Sequence, residues 1–573
     1  MDAGSGPVSA AAAVPNPNLA ARLAERAAFH PGRLAIVECR GRRVRRRTYA
    51  ELDAAVAGVA AGLRARGVRA GDRVLVFVPM SLDLYVVLIA ILRVGACAVF
   101  VDAWAGRARL DAAVRAVKPR AFVGTVRAHV LRLATPALRA IPVPIVLGGI
   151  VPAERFARDQ ARGSRTARAT TAPGPMGGSA PSAGGDWPPD SGCARVLETD
   201  AALVTFTTGS SGTPKAAART HGLLWAQHLA LQQHLAPREE DIDLPTLPVF
   251  VLNNLAAGVT SVLPDMDPRR PADVDPARVV AQIERERVTT SSGSPAFYGR
   301  LATWCEERGR RLPLRALFTG GAPVLPALAR LLAATVEGEA HVVYGSTEAE
   351  PIAGIEVRAM LEAMAAEGEE GVCVGNPVPA IEVKLVRPHD GPIALDAAGW
   401  SAWEVDRDAV GEVVVRGAHV LEAYFSDPDA DRANKIRDGA AVWHRTGDAA
   451  RRDRSGRLWL MGRVRRRVRP SDRTWWGQPA ELRALAVDGV RHAAYFGAGD
   501  PEPGQRAVLC VEAGGERAAL EPALRGALAP MPVDELHLLE IPRDPRHRSK
   551  TDWEALEQIL AGRHPSVPSR KSC

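Results

Sequence analysis

Apolar residues along the chain fall into short solid runs separated by amphipathic stretches, the alternation expected where buried strands and surface helices take turns. Residues 73–78 and 96–101 are runs of strand length, and 82–94 between them is long enough for a helix. Leu52, Val56, Val59, Ala60 and Leu63 share one face of a helix predicted over 49–66, with Gly67 where it should stop. Upstream, 19–29 has helical spacing, and 33–38 with 45–48 reads as a strand pair around a basic turn. Strand and helix in alternation predict a parallel α/β sheet.

The pattern lapses over 152–192, where Ala, Arg, Gly, Ser, Thr and Pro dominate. Such a composition cannot bury enough apolar surface to fold, so a disordered insertion is expected there. Periodicity then resumes. Helices are expected over 222–235, 279–287 and 324–336, strands over 288–292, 314–319 and 341–343, and β-rich segments at 382–385, 411–416 and 457–461. The last stretch, from 462, carries helix, strand and helix signals sufficient for a small α+β domain. A chain of 573 residues exceeds what one core supports. The expected plan is a loose leader over 1–18, a large domain over 19–461 made of parallel α/β subdomains and a β-rich subdomain, and a small mobile domain over 462–573.

Composition narrows the choices. With 47% hydrophobic and 24% charged residues the chain is of ordinary globular type. The net charge of +8 raises the question of nucleic acid, yet aromatic residues at 5% are too few for a base-stacking surface, and no nucleic-acid partner is expected. Seven cysteines, odd in number and scattered, include no C-x-x-C pair, which predicts reduced thiols and a cytoplasmic setting. The longest apolar run, 84–92, is about half of what a bilayer needs, so no membrane span is expected.

Candidate chemistry begins where the apolar run Leu203-Val204-Thr205-Phe206 opens into Thr207, Thr208, Gly209, Ser210, Ser211, Gly212, Thr213, Pro214 and Lys215. Two glycines let backbone N–H groups approach an anion, five hydroxyls can donate, and the lysine adds charge, so the loop reads as a phosphate cradle. It is not a Walker loop, because Pro214 separates Thr213 from Lys215. A flexible Ser/Gly surface loop is the bland alternative.

Thr207 to Lys215 resembles the phosphate-loop signature of the adenylate-forming superfamily, which includes acyl-CoA synthetases, adenylation domains and luciferases. Further segments agree in order, and the resemblance covers roughly residues 20–560. Gly320-Gly321-Ala322-Pro323 resembles the segment that runs along adenine. Tyr344-Gly345-Ser346-Thr347-Glu348 is similar to the second nucleotide motif; the resemblance implies that Tyr344 stacks on adenine, Thr347 bonds phosphate and Glu348 holds Mg²⁺. Thr446-Gly447-Asp448 resembles the ribose motif, with Asp448 accepting from both ribose hydroxyls. Gly462-Arg463 resembles the start of the hinge, placed at 463–466, with Arg463 reaching the nucleotide. Arg546-His547-Arg548-Ser549-Lys550 resembles the terminal-domain segment whose lysine enters the site for adenylation. ATP and Mg²⁺ are therefore the implied cofactors, and the implied reaction is attack of a carboxylate on the α-phosphorus of ATP, with domain rotation before a second half-reaction.

For that second half the sequence departs from acyl-CoA synthetases. The hinge reads Arg465-Arg466-Arg467-Val468-Arg469-Pro470-Ser471-Asp472, with no glycine until Gly477 to admit pantetheine, and Pro248-Val249-Phe250-Val251 replaces a His-bearing gate. Several segments instead resemble the olefin β-lactone synthetases: 263–268, 293–296, 371–375, Trp443-His444-Arg445, and Arg546-His547 before Lys550. That resemblance implies a hydrophobic β-hydroxy fatty acid whose hydroxyl attacks its own activated carbonyl, so that CoA is not favoured as a co-substrate. Fatty-acid–CoA ligation is the alternative, and a non-catalytic nucleotide- or partner-binding member a more distant one. Ser549, Thr551 and the acidic Glu350 depart from the lactone-forming pattern. By position in the family pattern, the acyl pocket is expected to include Val251, Leu252, Asn253, Asn254 and residues 295–298, with Gly345 at its floor; Asn253 and Asn254 are read first as caps of the following helix.

Overall fold

The computed structural model describes residues 16–41, 43–101, 107–147, 192–208, 214–267, 273–368, 370–470, 473–499, 504–515, 517–544 and 550–562. A six-stranded sheet runs in the order Val143–Leu147, Ala121–Thr125, Arg73–Phe77, Cys97–Phe100, Ala201–Thr208 and Pro214–Thr220. The first five strands are parallel and the last turns back antiparallel. Against this sheet lies the helix Leu82–Val94, in which every residue but Asp83 is buried. Ser81 caps its start by accepting from the Leu84 amide, and Gly95, at φ 80°, ends it. A helix apolar all round belongs between layers. Its core joins Val74 and Val76 of this sheet to Ile36 and Leu263 of the next.

The second sheet has fourteen strands among the described residues. Its parallel half runs Leu34–Arg40, Thr260–Leu263, Ile242–Pro245, Thr290–Gly293, Ala316–Gly320 and Glu339–Ser346. From there it continues antiparallel through Ala349–Glu356, Val372–Pro377, Leu458–Arg463, Ala441–Arg452, Gly411–Arg416 and Glu382–Val386. The third sheet, Val490–Ala498, Arg506–Ala513 and Glu535–Leu538, has cores of its own around Tyr495, Leu509 and Leu524 on one face and Phe496, Val508 and Leu556 on the other. The architecture is thus mixed α/β, with a large N-terminal sheet domain, whose second half is the predicted β-rich part, and a smaller C-terminal region.

Differences from expectation have local causes. Asn18, assigned to the loose leader, is buried: it caps the helix Leu19–Phe29, and its Nδ2 donates to Leu92 O at 2.7 Å and Ala194 O at 3.0 Å. Several strands were not expected, and two of them oppose local propensity. Pro214–Thr220 is alanine-rich and is held by pairing with Ala201–Thr208, and Ala349–Glu356 contains Pro, Gly and two Glu yet pairs on both sides. Asn253 and Asn254 cap nothing, since both lie inside the helix Pro248–Ala257 and use their side chains for tertiary bonds. The strand expected over 457–461 runs as Leu458–Arg463, so it carries Gly462 and Arg463 past the expected boundary. Apart from Gly192, the expected insertion at 152–192 lies outside the described residues.

Replacing Asn18 with Ala removes a cap and two long-range donors, and a loss of about 1–3 kcal/mol is expected. Thermal unfolding of the two proteins measures it; unchanged melting would mean that the segment is not anchored.

Candidate active site

The strand Ala201–Thr208 ends with Thr207 and Thr208, whose backbones pair with Lys215 and Pro214 of the returning strand. Gly209, Ser210, Ser211, Gly212 and Thr213, at the tip between the two strands, lie outside the described residues, as do residues 545–549. The loop leads into a strand and not a helix, which agrees with its distinction from a Walker loop. Lys215 is half-buried, with Nζ 5.5 Å from the centre of the Tyr424 ring. Burial pulls its pKa down, Glu348 and Asp427 push it up, and Arg465 adds to the lowering.

The strands Ala316–Gly320 and Glu339–Ser346 bring the two nucleotide-type motifs side by side, with Gly320 opposite Val343. A Cβ at Gly320 would stand 2.3 Å from Val343 O, so only glycine permits this approach. Gly321 follows at φ 83° with open space where a side chain would be, and Ala322 and Pro323 continue the turn beside it. Gly345 and Ser346 end the strand Glu339–Ser346, Thr347 and Glu348 form the turn into Ala349–Glu356, and the Ser346 hydroxyl accepts from the Glu348 amide at 3.3 Å.

Tyr344 is buried, and its hydroxyl donates to Asp448 Oδ2 at 2.9 Å. Asp448 Oδ1 lies 3.2 Å from Arg463 Nε, because the register of the strands Ala441–Arg452 and Leu458–Arg463 sets Asp448 directly opposite Arg463. Both carboxylate oxygens are thus engaged, each with a second lone pair to spare. Arg463 also donates to Thr446 O at 3.2 Å, and the Thr446 hydroxyl donates to Val413 O.

Around Glu348 the structure supplies partners that sequence reasoning missed. Tyr424 donates its hydroxyl to Glu348 Oε1 at 3.0 Å. Lys435, buried, donates to Leu421 O, and its Nζ lies 3.3 Å from His444 Nδ1 and 5.1 Å from the centre of the Tyr424 ring. Burial lowers the Lys435 pKa to about 7, against the pull of Glu348, Asp431 and Glu422. Burial, then Lys435, holds the His444 pKa well below its usual range, so this imidazole is neutral. A single tyrosine and a single lysine, in no periodic pattern, give no signal in the sequence.

Lys550 arrives from the C-terminal region. Its amide donates to Asp544 Oδ1 at 2.9 Å while the Asp544 amide donates to Lys550 O, a reciprocal clasp that closes the base of the intervening segment. The residue is exposed. Desolvation and then Arg463 lower its pKa, while Asp448, Asp544 and Glu348 oppose them. Lys215, Glu348, Asp448, Arg463 and Lys550, from four separate parts of the chain, therefore act on one another in one cleft.

Beneath the ribose-type motif, Arg445 and Glu412 form a buried ion pair, with Arg445 Nη2 2.7 Å from Glu412 Oε2. Arg445 also donates to His389 O and Gly391 O, both at 2.6 Å. The residue between them, Asp390, receives Arg467 at 2.7 Å and Arg469 at 2.9 Å from the segment following Arg463. The arginine-rich run is thus a set of ion pairs at the junction between the large sheet and the C-terminal region.

The acyl pocket is drawn differently from expectation. Val251, Phe297 and Tyr298 have no accessible surface and are core residues, with the Tyr298 hydroxyl donating to Ser291 Oγ. Arg219, Gln227 and Glu350, none of them assigned a site role, lie behind Glu348 instead.

An α/β enzyme fold whose cleft collects lysines and an arginine around two carboxylates, beside a glycine-floored shelf, defines a protein of the class that handles a nucleoside polyphosphate. The model of the AMP-binding enzyme family matches residues 23–425, and the chain belongs to that family. It is 34% identical over 570 residues to an olefin β-lactone synthetase of Stenotrophomonas maltophilia, covering 94% of this chain and 97% of that one. To the olefin β-lactone synthetase of Xanthomonas campestris it is 34% identical over 538 residues, covering 89% and 90%. ATP-bound MatB from Rhodopseudomonas palustris shares the fold with a TM-score of 0.75 at 22% identity, covering 95% of this chain and 99% of that one. The chain is accordingly an adenylate-forming enzyme, an ATP-dependent, AMP-producing ligase that acts on a carboxylic acid. Among the described residues no helix is long and apolar enough to cross a membrane.

Lys435 generates a pH-dependent prediction. Below pH 7 both folded and unfolded chains carry its proton, and the cost of burying the ammonium is present in full. Between its folded pKa of about 7 and the ordinary 10.5 the unfolded chain holds a proton that the folded one lacks, so stability rises with pH. Relative to Lys435→Met, the wild type should gain up to about 1.4 kcal/mol per pH unit across that window. Denaturant midpoints of both proteins near pH 6 and near pH 9 test this; a difference independent of pH would contradict it.

Proposed function

We propose that the enzyme adenylates a hydrophobic β-hydroxy carboxylic acid and then closes it to a β-lactone. The observation that carries the first step is the presence of Lys550 in the same cleft as Asp448, Arg463 and Glu348. Asp448 and Arg463 hold the ribose end of the nucleotide, the 207–213 loop and Lys215 hold its phosphates, and Tyr344 and the shelf at 320–323 take the base. The substrate carboxylate attacks the α-phosphorus, and Lys550 neutralises the charge that builds there as pyrophosphate departs. Mg²⁺, when bound, neutralises phosphate charge, with Glu348 as its protein ligand. A carboxylate suits that role, since Mg²⁺ is commonly held by one or two carboxylates together with phosphate oxygens and water.

For the second step, the substrate's own hydroxyl displaces AMP from the acyl carbon, and no thiol acceptor is needed. The similarity to lactone-forming relatives over nearly the whole chain supports this reading, as does the Arg467 and Arg469 pairing with Asp390 where a glycine-rich pantetheine entrance would be expected. Rotation of 462–573 about 463–466 would withdraw Lys550 between the steps. A cytoplasmic location belongs to the same reading.

Incubation with Mg-ATP and a panel of fatty and β-hydroxy fatty acids, with and without CoA, tests it by mass spectrometry. The expected products are AMP and an acid that has lost water, with CoA dispensable. A thioester formed only with CoA would make the enzyme an acyl-CoA ligase, and no AMP from any acid would favour a non-catalytic member. Lys550→Ala should slow pyrophosphate exchange by at least about a hundredfold, and full retention would remove that lysine from the mechanism.

A further inference from the structure

Behind Glu348 the interior is polar. The helix His221–Leu235 packs across the strand Ala349–Glu356 and buries His221, Gln227 and His228. His228 Nδ1 is matched by Asn253 Oδ1 at 2.8 Å. Neither ring nitrogen of His221 has a partner, and Gln227 Oε1, Asn253 Nδ2 and Arg219 Nε have none either. Gln227 is 4% exposed and Arg219 8%. Interiors pair such atoms almost without exception, so a group of orphans on adjoining elements marks where a polar partner arrives from outside.

Glu350 stands among them. Its Oε2 accepts from Gln227 Nε2 at 3.5 Å, and Arg219, on the strand Pro214–Thr220, is its charge partner. Arg219 has one long hydrogen bond, 3.4 Å to the Thr205 hydroxyl. Glu350 is half-buried. Glu350 lies in the strand Ala349–Glu356, two residues after Glu348 in the chain, and Arg219 is within electrostatic reach of both carboxylates. On the adenylation reading, in which Glu348 faces the phosphates, a group beside Glu348 adjoins the reacting carboxyl. A hydroxyl suits the set, since it can donate to Gln227 Oε1 or Glu350 and accept from Arg219 Nε.

We propose that Arg219, Gln227 and Glu350 form a subsite that holds the hydroxyl of a hydroxylated acid near the reacting carboxyl, and so select that acid over its unsubstituted counterpart. The inference rests on the adenylation reading given above, and it names what recognises the hydroxyl.

The test is AMP formation with a β-hydroxy fatty acid and with the unsubstituted fatty acid of equal length, in the wild type and in Gln227→Leu and Glu350→Leu, each checked for native melting. The wild type should prefer the hydroxy acid in kcat/KM by about tenfold or more, the scale of one buried hydrogen bond. In either variant that ratio should fall toward one. A ratio unchanged in both variants, or a wild type without preference, overturns the subsite. Lactone is assayed in the same reactions. Its absence, with AMP still formed, removes the closure step alone, and the ratio still decides the subsite. No AMP from either acid overturns the adenylation reading and this inference together.

Discussion

One cross-strand pair organises the cleft. Asp448 and Arg463 face each other because two antiparallel strands of the large sheet are in that register, and Tyr344 reaches the same carboxylate from the sheet's parallel half. A residue from the nucleotide shelf, a residue from the ribose-type motif and the last residue before the C-terminal region therefore meet at two oxygens. A slip of one residue in that pairing would turn the slipped strand's side chain to the opposite face and part the two groups. The placement of everything downstream, Lys550 included, is inherited from that register.

Electrostatics explains how so many like charges share the space. Lys215, Lys435, Arg463, Arg465 and Lys550 lie among Glu348, Asp448, Asp427, Asp431, Glu422 and Asp544, a mixed set of charges near enough to act on one another. Two groups relieve the crowding: Lys435 gives up its proton readily because it is buried, and His444 stays neutral. Farther in, Arg445 is fully paired, and its bonds to the backbone on both sides of Asp390 make it a brace beneath the junction.

What was legible in the sequence was local. The apolar run 82–94 and the one-faced pattern of 49–66 marked two helices, which the structure closes with Ser81 and Gly95 and opens with a Thr48–Glu51 capping box; apolar periodicity needs no tertiary context. Lys215, Glu348, Asp448, Arg463 and Lys550 were singled out through family resemblance, and the fold sets them within electrostatic reach of one another, while their roles belong to the proposed function. Tyr424, Lys435 and Arg219 were not, because what distinguishes them is burial beside a carboxylate, which only packing creates. Ala349–Glu356 was hidden for the same reason, as its proline, glycine and glutamates oppose a strand that its two neighbours impose. The acyl pocket was misread where aromatic side chains that looked like lining proved to be core.

Asp390 has one further consequence. Its two arginines differ in shelter: the Arg467 side chain is 5% exposed and that of Arg469 28%, while Asp390 is itself half open to water. Counter-ions screen the open contact at physiological ionic strength over about 8 Å and reach the sheltered one much less. The junction thus combines a contact that salt weakens with one that it hardly touches. Its stiffness is therefore partly a property of the surrounding electrolyte, and the ionic strength of the medium enters the kinetics of any motion that parts these groups.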